Sequence, residues 1–388
     1  MAFSRRILIG AVLAAVICSP VWAQETLKVG AIGSLSGGGT AWGLAIKRGA
    51  ELALDEVNKA GGLKVGDKTY KLELVMYDDQ YTGQGGKTAA ERLVYQDKVK
   101  YIIGPIGSNP VLSTVEVTTP QKVVLLSNGY TSKILDNDHK ASFNFRFTLT
   151  NLEYAPSMMK WVKANLKVTK VGLLVPNDAI GQSVAPPLVK LYKENGIEPV
   201  VDYYERGSKE FSPLITRMMA AGIDGIDLNF SAPGEAGLIL KQARQIGFNK
   251  VIYQMGGPSV PEIMEVAGKQ AEGFISYEMF SFNTPAAQPF VKAYAAKYGA
   301  GIINSQTPAF YNATKILIEA LRRAGTVDDT TKIRDTIEKM EGYDAGIYGP
   351  LRWTGKALYR VDHQIALPFY VVEVKDGNIV MLTTLSVD

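Results

Sequence analysis

Short apolar runs rich in β-branched residues alternate with stretches of helical spacing along most of the chain. Leu27 to Ile32, Leu72 to Tyr77, Tyr101 to Ile103 and Val123 to Leu126 read as strands, each ending in a polar or glycine-rich loop. Helical patterns fill the intervals at Ala45 to Asn58, Thr88 to Gln96 and Val111 to Thr118. Strands apolar on both faces need cover on both faces, so the pattern predicts a parallel sheet between two layers of helix. It restarts after Phe143 to Phe147, with helix Tyr154 to Asn165, strand Val171 to Val175, helix Val184 to Asn195 and strand Pro199 to Tyr204. Helix Pro213 to Ala221, strand Gly225 to Phe230, helix Ala236 to Ile246 and strand Val251 to Met255 complete a second doubly wound unit. Late helical stretches at Pro289 to Tyr298, Phe310 to Arg323 and Thr331 to Met340 must join a lobe already begun. The tail Leu367 to Leu385 reads as a hairpin turning at Asp376-Gly377-Asn378.

The N-terminus follows another pattern. Arg5 and Arg6, an apolar run from Ile7 to Ile17 and the small-residue site Val21-Trp22-Ala23 predict a cleavable export signal, with a mature chain from Gln24. The run is too short to span a membrane, which needs about 20 residues, and no later segment is long and apolar enough. Two other readings of the same stretch carry less weight: a lipid-anchored Cys18, because bulky Ile17 stands before the cysteine, and a twin-arginine signal at Ser4-Arg5-Arg6, because a plain basic n-region accounts for the arginines. Cys18 is the only cysteine, so the mature chain is expected to hold neither a disulfide nor a thiolate metal site. The 388 residues exceed the roughly 250 to 300 at which single cores stop growing, which again predicts two lobes. Formal net charge is +4 with both signs interspersed, giving no footprint for nucleic acid or a membrane surface.

Open α/β sheets bind ligands beyond the carboxyl ends of their strands. Ser108-Asn109-Pro110 is the most informative strand-end loop, combining cap-type residues with a proline at a helix start. Free N–H groups there favour an anion. Ser127-Asn128-Gly129-Tyr130-Thr131, at the next strand end, adds donors, and the two loops together suggest a carboxylate pocket.

Enzymatic motifs fail on detail. Gly83-Gln-Gly-Gly-Lys87-Thr88 lacks the first glycine of a phosphate-binding loop, where Tyr81 stands. Gly181-Gln-Ser183-Val-Ala185 misses the last glycine of a nucleophile elbow. The only candidate bases, His139 and His363, sit in polar surroundings and read as solvated surface residues, too few for a zinc site. Adjacent carboxylates such as Asp78 and Asp79 point to opposite faces of a strand, so loop hydrogen bonding is expected of them rather than acid–base work. Gly30-Ala-Ile-Gly33 lacks the dinucleotide spacing. No enzymatic activity, cofactor or metal is expected.

Leu27 to Trp42, Tyr77-Asp78-Asp79, Tyr101-Ile-Ile-Gly104-Pro-Ile-Gly107-Ser108, Leu240-Lys-Gln-Ala-Arg244 and Gly349-Pro-Leu-Arg-Trp353 together resemble the periplasmic binding proteins for leucine, isoleucine and valine. The resemblance implies a type I periplasmic binding protein fold, two doubly wound parallel-sheet lobes joined by three hinge crossovers. The lobes are expected at residues 24–147 with 281–350, and 148–280 with 351–388. It also implies a monomer that captures a small molecule by lobe closure and delivers it to an inner-membrane ABC permease and its ATPase. Ser108, Gly129 and Thr131 match the family's carboxylate-binding positions, flanked here by Asn109 and Tyr130, and Trp42 matches its covering aromatic. The second lobe departs from the family. Ala232 and Pro258 stand where amino-acid binders place a tyrosine and the glutamate that pairs with the ligand ammonium, and Ile180 replaces another tyrosine. The family's disulfide positions hold Tyr81 and Gly107. A buried ammonium without a counter-charge costs several kcal/mol, so the expected ligand is a carboxylate lacking the amine, an aromatic or branched 2-oxo acid. Asp178 and Glu235 stay open as substitutes for the missing charge. A simple amino-acid binder, and the ligand-binding half of a membrane sensor, are the alternatives.

Overall fold

A computed structural model describes residues 25–135, 143–229, 231–257, 259–282, 284–301 and 303–387. The export signal and His139 lie outside that range. Strands β1 (Glu25–Gly33), β2 (Leu63–Val65), β3 (Lys68–Asp78), β4 (Tyr101–Ile106), β5 (Val124–Asn128) and β6 (Asn144–Arg146) build a first sheet. A second contains β7 (Lys170–Pro176), β8 (Glu198–Tyr204), β9 (Gly225–Asp227), β10 (Val251–Gln254) and β11 (Ile275–Glu278). The chain then returns to the first sheet with β12 (Trp353–Thr354) and β13 (Gln364–Ile365), and ends in the second with β14 (Phe369–Lys375) and β15 (Asn378–Leu385). The orders are β12-β13-β6-β5-β4-β1-β3-β2 and β15-β14-β11-β10-β9-β7-β8, parallel at both centres.

Helices cover both sheets: α1 (Thr40–Lys59), α2 (Gly83–Glu91) and α3 (Ser108–Thr118) in the first lobe, then α4 (Asn151–Asn165), α5 (Ala179–Glu194), α6 (Ser212–Ala220), α7 (Pro233–Gln245) and α8 (Val260–Ala267) in the second. Of the late helices α9 (Gln288–Tyr298), α10 (Gln306–Ala324) and α11 (Thr330–Glu338), α10 packs along α1 and α11 reaches β5, so these join the first lobe. A short α12 (Lys356–Tyr359) precedes β13.

The chain passes between the lobes at 147–150, 279–287 and 366–368. This corrects the expected boundary at 350. Residues 353–365 belong with the first lobe, because Gln364 pairs in parallel with Arg146 and its Oε1 accepts from Arg146 Nε at 2.5 Å. His363 is likewise corrected. Rather than solvated, it is 1% exposed, stacked on Phe145 at 4.1 Å, with Nδ1 facing the Asn144 carbonyl at 3.0 Å and Nε2 facing Glu338 at 2.8 Å. That hydrogen bond holds the Glu338 carboxyl below its usual range. The tail hairpin turns at Asp376-Gly377, both at positive φ (51° and 71°), the geometry that lets two residues join twisted antiparallel strands.

Candidate functional site

Carboxyl ends of strands from both sheets meet at the cleft between the lobes. On the first lobe, β1 and β3 end side by side at Gly33 and Asp78, so their following loops are neighbours. Asp78 accepts from Leu35 N–H (2.8 Å), Ser36 Oγ (2.7 Å) and Gln80 N–H (2.8 Å), while Asp79 accepts from Ser34 Oγ (2.6 Å) and Tyr81 N–H (2.8 Å). Burial opposes ionisation of Asp78, but these bonds prevail and hold its carboxyl low. At Asp79 burial wins and pushes the carboxyl up to about 6. The aspartates are therefore loop ties. They fix the start of α1, where Gly43 packs so closely that a Cβ would lie 1.8 Å from the Ser34 carbonyl oxygen. This seats Trp42, 5% exposed, with its ring 5.4 Å from Tyr81.

The α3 start differs from the expected cap. Gly107, at φ 105°, is the N-cap, and a Cβ there would meet the Tyr81 ring at 2.6 Å. Ser108, Asn109 and Pro110 are the first three helical residues. Ser108 does not cap its own helix; its Oγ accepts from Thr131 N–H at 3.1 Å and so ties the two donor loops together. No backbone partner among the described residues takes the N–H groups of Ser108, Asn109, Gly129 or Tyr130, as the first turn of any helix dictates for the first two.

Beneath the second loop lies Arg146, fully buried. Its guanidinium donates to the carbonyls of Gly129 (3.3 Å) and Thr131 (3.2 Å), approaches Glu153 at 3.8 Å and stacks on Tyr359 at 4.5 Å. Holding those carbonyls on one side turns the N–H of each following residue away, because C=O and N–H of a trans peptide oppose each other.

The cleft floor is narrow, with a cavity of about 30 Å³. The first lobe contributes Trp42, Tyr81, Ile106, Gly107, Asn128, Gly129, Tyr130 and Gln306, the hinge Thr148, and the second lobe Asn229, Ser231 and Gly257. The lobes touch across it: Gly257 N–H donates to the Tyr130 hydroxyl at 2.6 Å, and Arg206 lies 5.5 Å over the Tyr81 ring. None of these lining residues carries an acidic or basic side chain.

Of the expected site residues, Trp42, Gly129 and Tyr130 therefore line the floor. Ser108 and Thr131 are buried supports of the loop, and Asn109 is half-buried off the floor. Ala232 is the N-cap of α7 and lines the cleft mouth. Ile180 lies in the first turn of α5; its side chain, like Pro258, is outside the described parts. Sequence reading named Asn128 only as part of the donor loop 127–131, and missed Gln306, Thr148 and Asn229. Gln306 reaches the site only through the return of the chain: Asn128 Nδ2 donates to its Oε1 at 2.7 Å across 178 positions.

Asp178 and Glu235 share one partner. Arg206 Nε meets Asp178 at 2.9 Å and its NH1 meets Glu235 at 2.5 Å, while Glu235 also accepts from the Tyr204 hydroxyl (2.8 Å) and Gly207 N–H (2.8 Å). Both carboxylates are committed to a cation of their own lobe.

The family model for periplasmic binding proteins matches residues 26–378. The chain belongs to this family. It is similar to a Leu/Ile/Val-binding protein homolog of Brucella melitensis, 26% identical over 367 residues, covering 93% of this chain and 94% of the relative. Among solved structures, a leucine-binding protein from Thermotoga maritima matches with a TM-score of 0.81 at 22% identity, over 93% of this chain and 99% of that one. A solute-binding protein of an ABC transporter from R. palustris, in complex with benzoate, matches at 0.79 and 21% identity, over 94% and 97%. The fold is thus the type I periplasmic binding protein fold expected from the sequence, and the mixed sheets with their crossings are its two lobes and hinge.

Proposed function

We propose that this chain is the solute-binding component of an ABC importer of the branched-chain amino acid type, exported by its N-terminal signal, and that its ligand is an aromatic carboxylate. The observation that carries the reading is the charge inventory of the cleft. The described lining of its floor holds no carboxylate to meet an ammonium; at the wider mouth, which Glu235, Glu262 and Glu265 line, Glu235 is paired with Arg206, as is Asp178. A zwitterionic amino acid would bury its ammonium against neutral groups, at several kcal/mol. A carboxylate instead meets the amides of the 129–130 segment, which lines the floor beside Gly107, the N-cap of α3, where the helix dipole favours an anion. Trp42, Tyr81 and Tyr130 supply the faces for an aromatic ring. The benzoate complex of R. palustris is a neighbour in fold, which supports the reading. The name of the Brucella relative supports the competing one, an amino-acid binder.

Binding requires no chemistry on the ligand. Contact with both lobes stabilises the closed form, and the closed form presents itself to the permease. Thermal-shift and calorimetric titration of the mature protein with benzoate, phenylpyruvate and leucine tests the ligand class. We expect micromolar binding of an aromatic acid, about −8 kcal/mol, and about 2.7 kcal/mol of added stability at 100 times the dissociation constant. Leucine bound tightest would replace this ligand with the family's usual one. Protein recovered from a periplasmic fraction should begin at Gln24; an intact Met1 would remove the export step.

A further inference from the structure

The fully buried side-chain atoms of the cleft-floor residues that lack a partner among the described residues are Trp42 Nε1 and Asn229 Nδ2. Both are N–H donors, and they stand on opposite lobes. An ammonium satisfies neither. Asn229, 2% exposed, follows β9, and its backbone N–H donates to Asp227 Oδ1 at 3.0 Å, the oxygen that also takes Met255 N–H at 3.1 Å. Its side-chain Oδ1 accepts from the Tyr154 hydroxyl at 2.8 Å. Gly256 leaves room for that pair, since a Cβ there would lie 2.0 Å from the Tyr154 oxygen and 2.5 Å from Asn229 Oδ1. With the backbone and Oδ1 both fixed, Nδ2 is held as a donor in a cavity wall, and a buried donor of this kind calls for an acceptor from whatever fills the cavity.

We propose that Asn229 reads an oxygen acceptor at the end of the ligand remote from its carboxylate, so that the preferred ligand is a ring-oxygenated aryl carboxylate. The inference rests on the carboxylate reading above, in which the first-lobe amides hold the acid group and leave the far end of the ring toward the second lobe. Sites built to hydrogen-bond a ligand oxygen reject the analogue without it far more strongly than apolar pockets reject a methylene, because the site's own donor is then stranded.

The test compares 3- and 4-methoxybenzoate with 3- and 4-ethylbenzoate, pairs of matching shape in which an oxygen that accepts but cannot donate replaces a methylene. Dissociation constants are measured by calorimetry for the wild-type chain, for Asn229→Ala and for Asn229→Asp, which keeps an acceptor for Tyr154 while removing the amide donor. At least one methoxy isomer should bind the wild-type chain tenfold or more tightly than its ethyl counterpart, and the ratio should fall below threefold in Asn229→Asp with an unchanged melting profile. Equal binding of methoxy and ethyl compounds by the wild-type chain, or a ratio retained in both variants, overturns the role of Asn229 and leaves the aromatic-acid reading standing. Binding of leucine with no aryl carboxylate bound overturns both.

Discussion

Asp227 shows how a single buried group sets both geometry and pH response. It is fully buried, and burial pushes its carboxyl up to about 7, against the hydrogen bonds from Met255 N–H, Tyr192 and Asn229 N–H. The unfolded value lies near 3.9. Between those two values the folded chain holds a proton that the unfolded chain has released, so this contribution to stability is complete below about pH 4 and is lost as pH rises toward 7. Glu262 and Glu278, also raised by burial to about 7, act in the same direction. Asp227→Asn keeps an acceptor for the two backbone N–H groups and removes the ionisation. We expect it to flatten the decline in stability between pH 4.5 and 7.5, by on the order of a few kcal/mol at the upper end, as read from urea midpoints. An equal loss at every pH would mean that the Tyr192 bond, not the buried charge, dominates at this residue.

Between elements, the decisive link is the buried network beneath the Gly129 to Thr131 loop. Thr150 caps α4, its hydroxyl accepting from Leu152 N–H while Glu153 reaches back to Thr150 N–H, a capping box already written in Thr150-Asn-Leu-Glu153. Glu153 in turn accepts from the Tyr359 hydroxyl at 2.5 Å and faces Arg146. One network thus joins two hinge crossings to the carbonyls of Gly129 and Thr131. Removing one member of a buried ion pair strands the other. Arg146→Met should therefore cost about 3–5 kcal/mol of stability, and the double variant Arg146→Met with Glu153→Leu should recover part of it, in denaturant titrations. A double variant no better than the single one would show that the hydrogen bonds to Gln364, Gly129 and Thr131 dominate instead. Among the elements that sequence reading missed, β11 and α8 failed for local reasons: Ile275–Glu278 is only four residues long with polar Ser276 inside it, and Pro261 interrupts the Val260–Ala267 pattern at its first turn.

At the scale of the two lobes, the cleft is where the ends of β1, β3, β4, β5, β6, β9 and β10 and the start of α10 come together. Periodicity and punctuation within the sequence determined the two doubly wound units, the hairpin at Asp376-Gly377, and Trp42 with Gly129 and Tyr130 as residues near a strand-end cleft. These rest on local rules, apolar spacing, helix starts and turn residues, which act over a few positions. Folding in space determined that Gln306 faces Asn128, that Asn229 presents a lone donor, that Arg206 claims both Asp178 and Glu235, and that 353–365 returns to the first sheet to bury His363. Each of those depends on which polar groups find partners once water is excluded. That pairing is fixed by contacts between residues tens to hundreds of positions apart, on which local pattern carries no information.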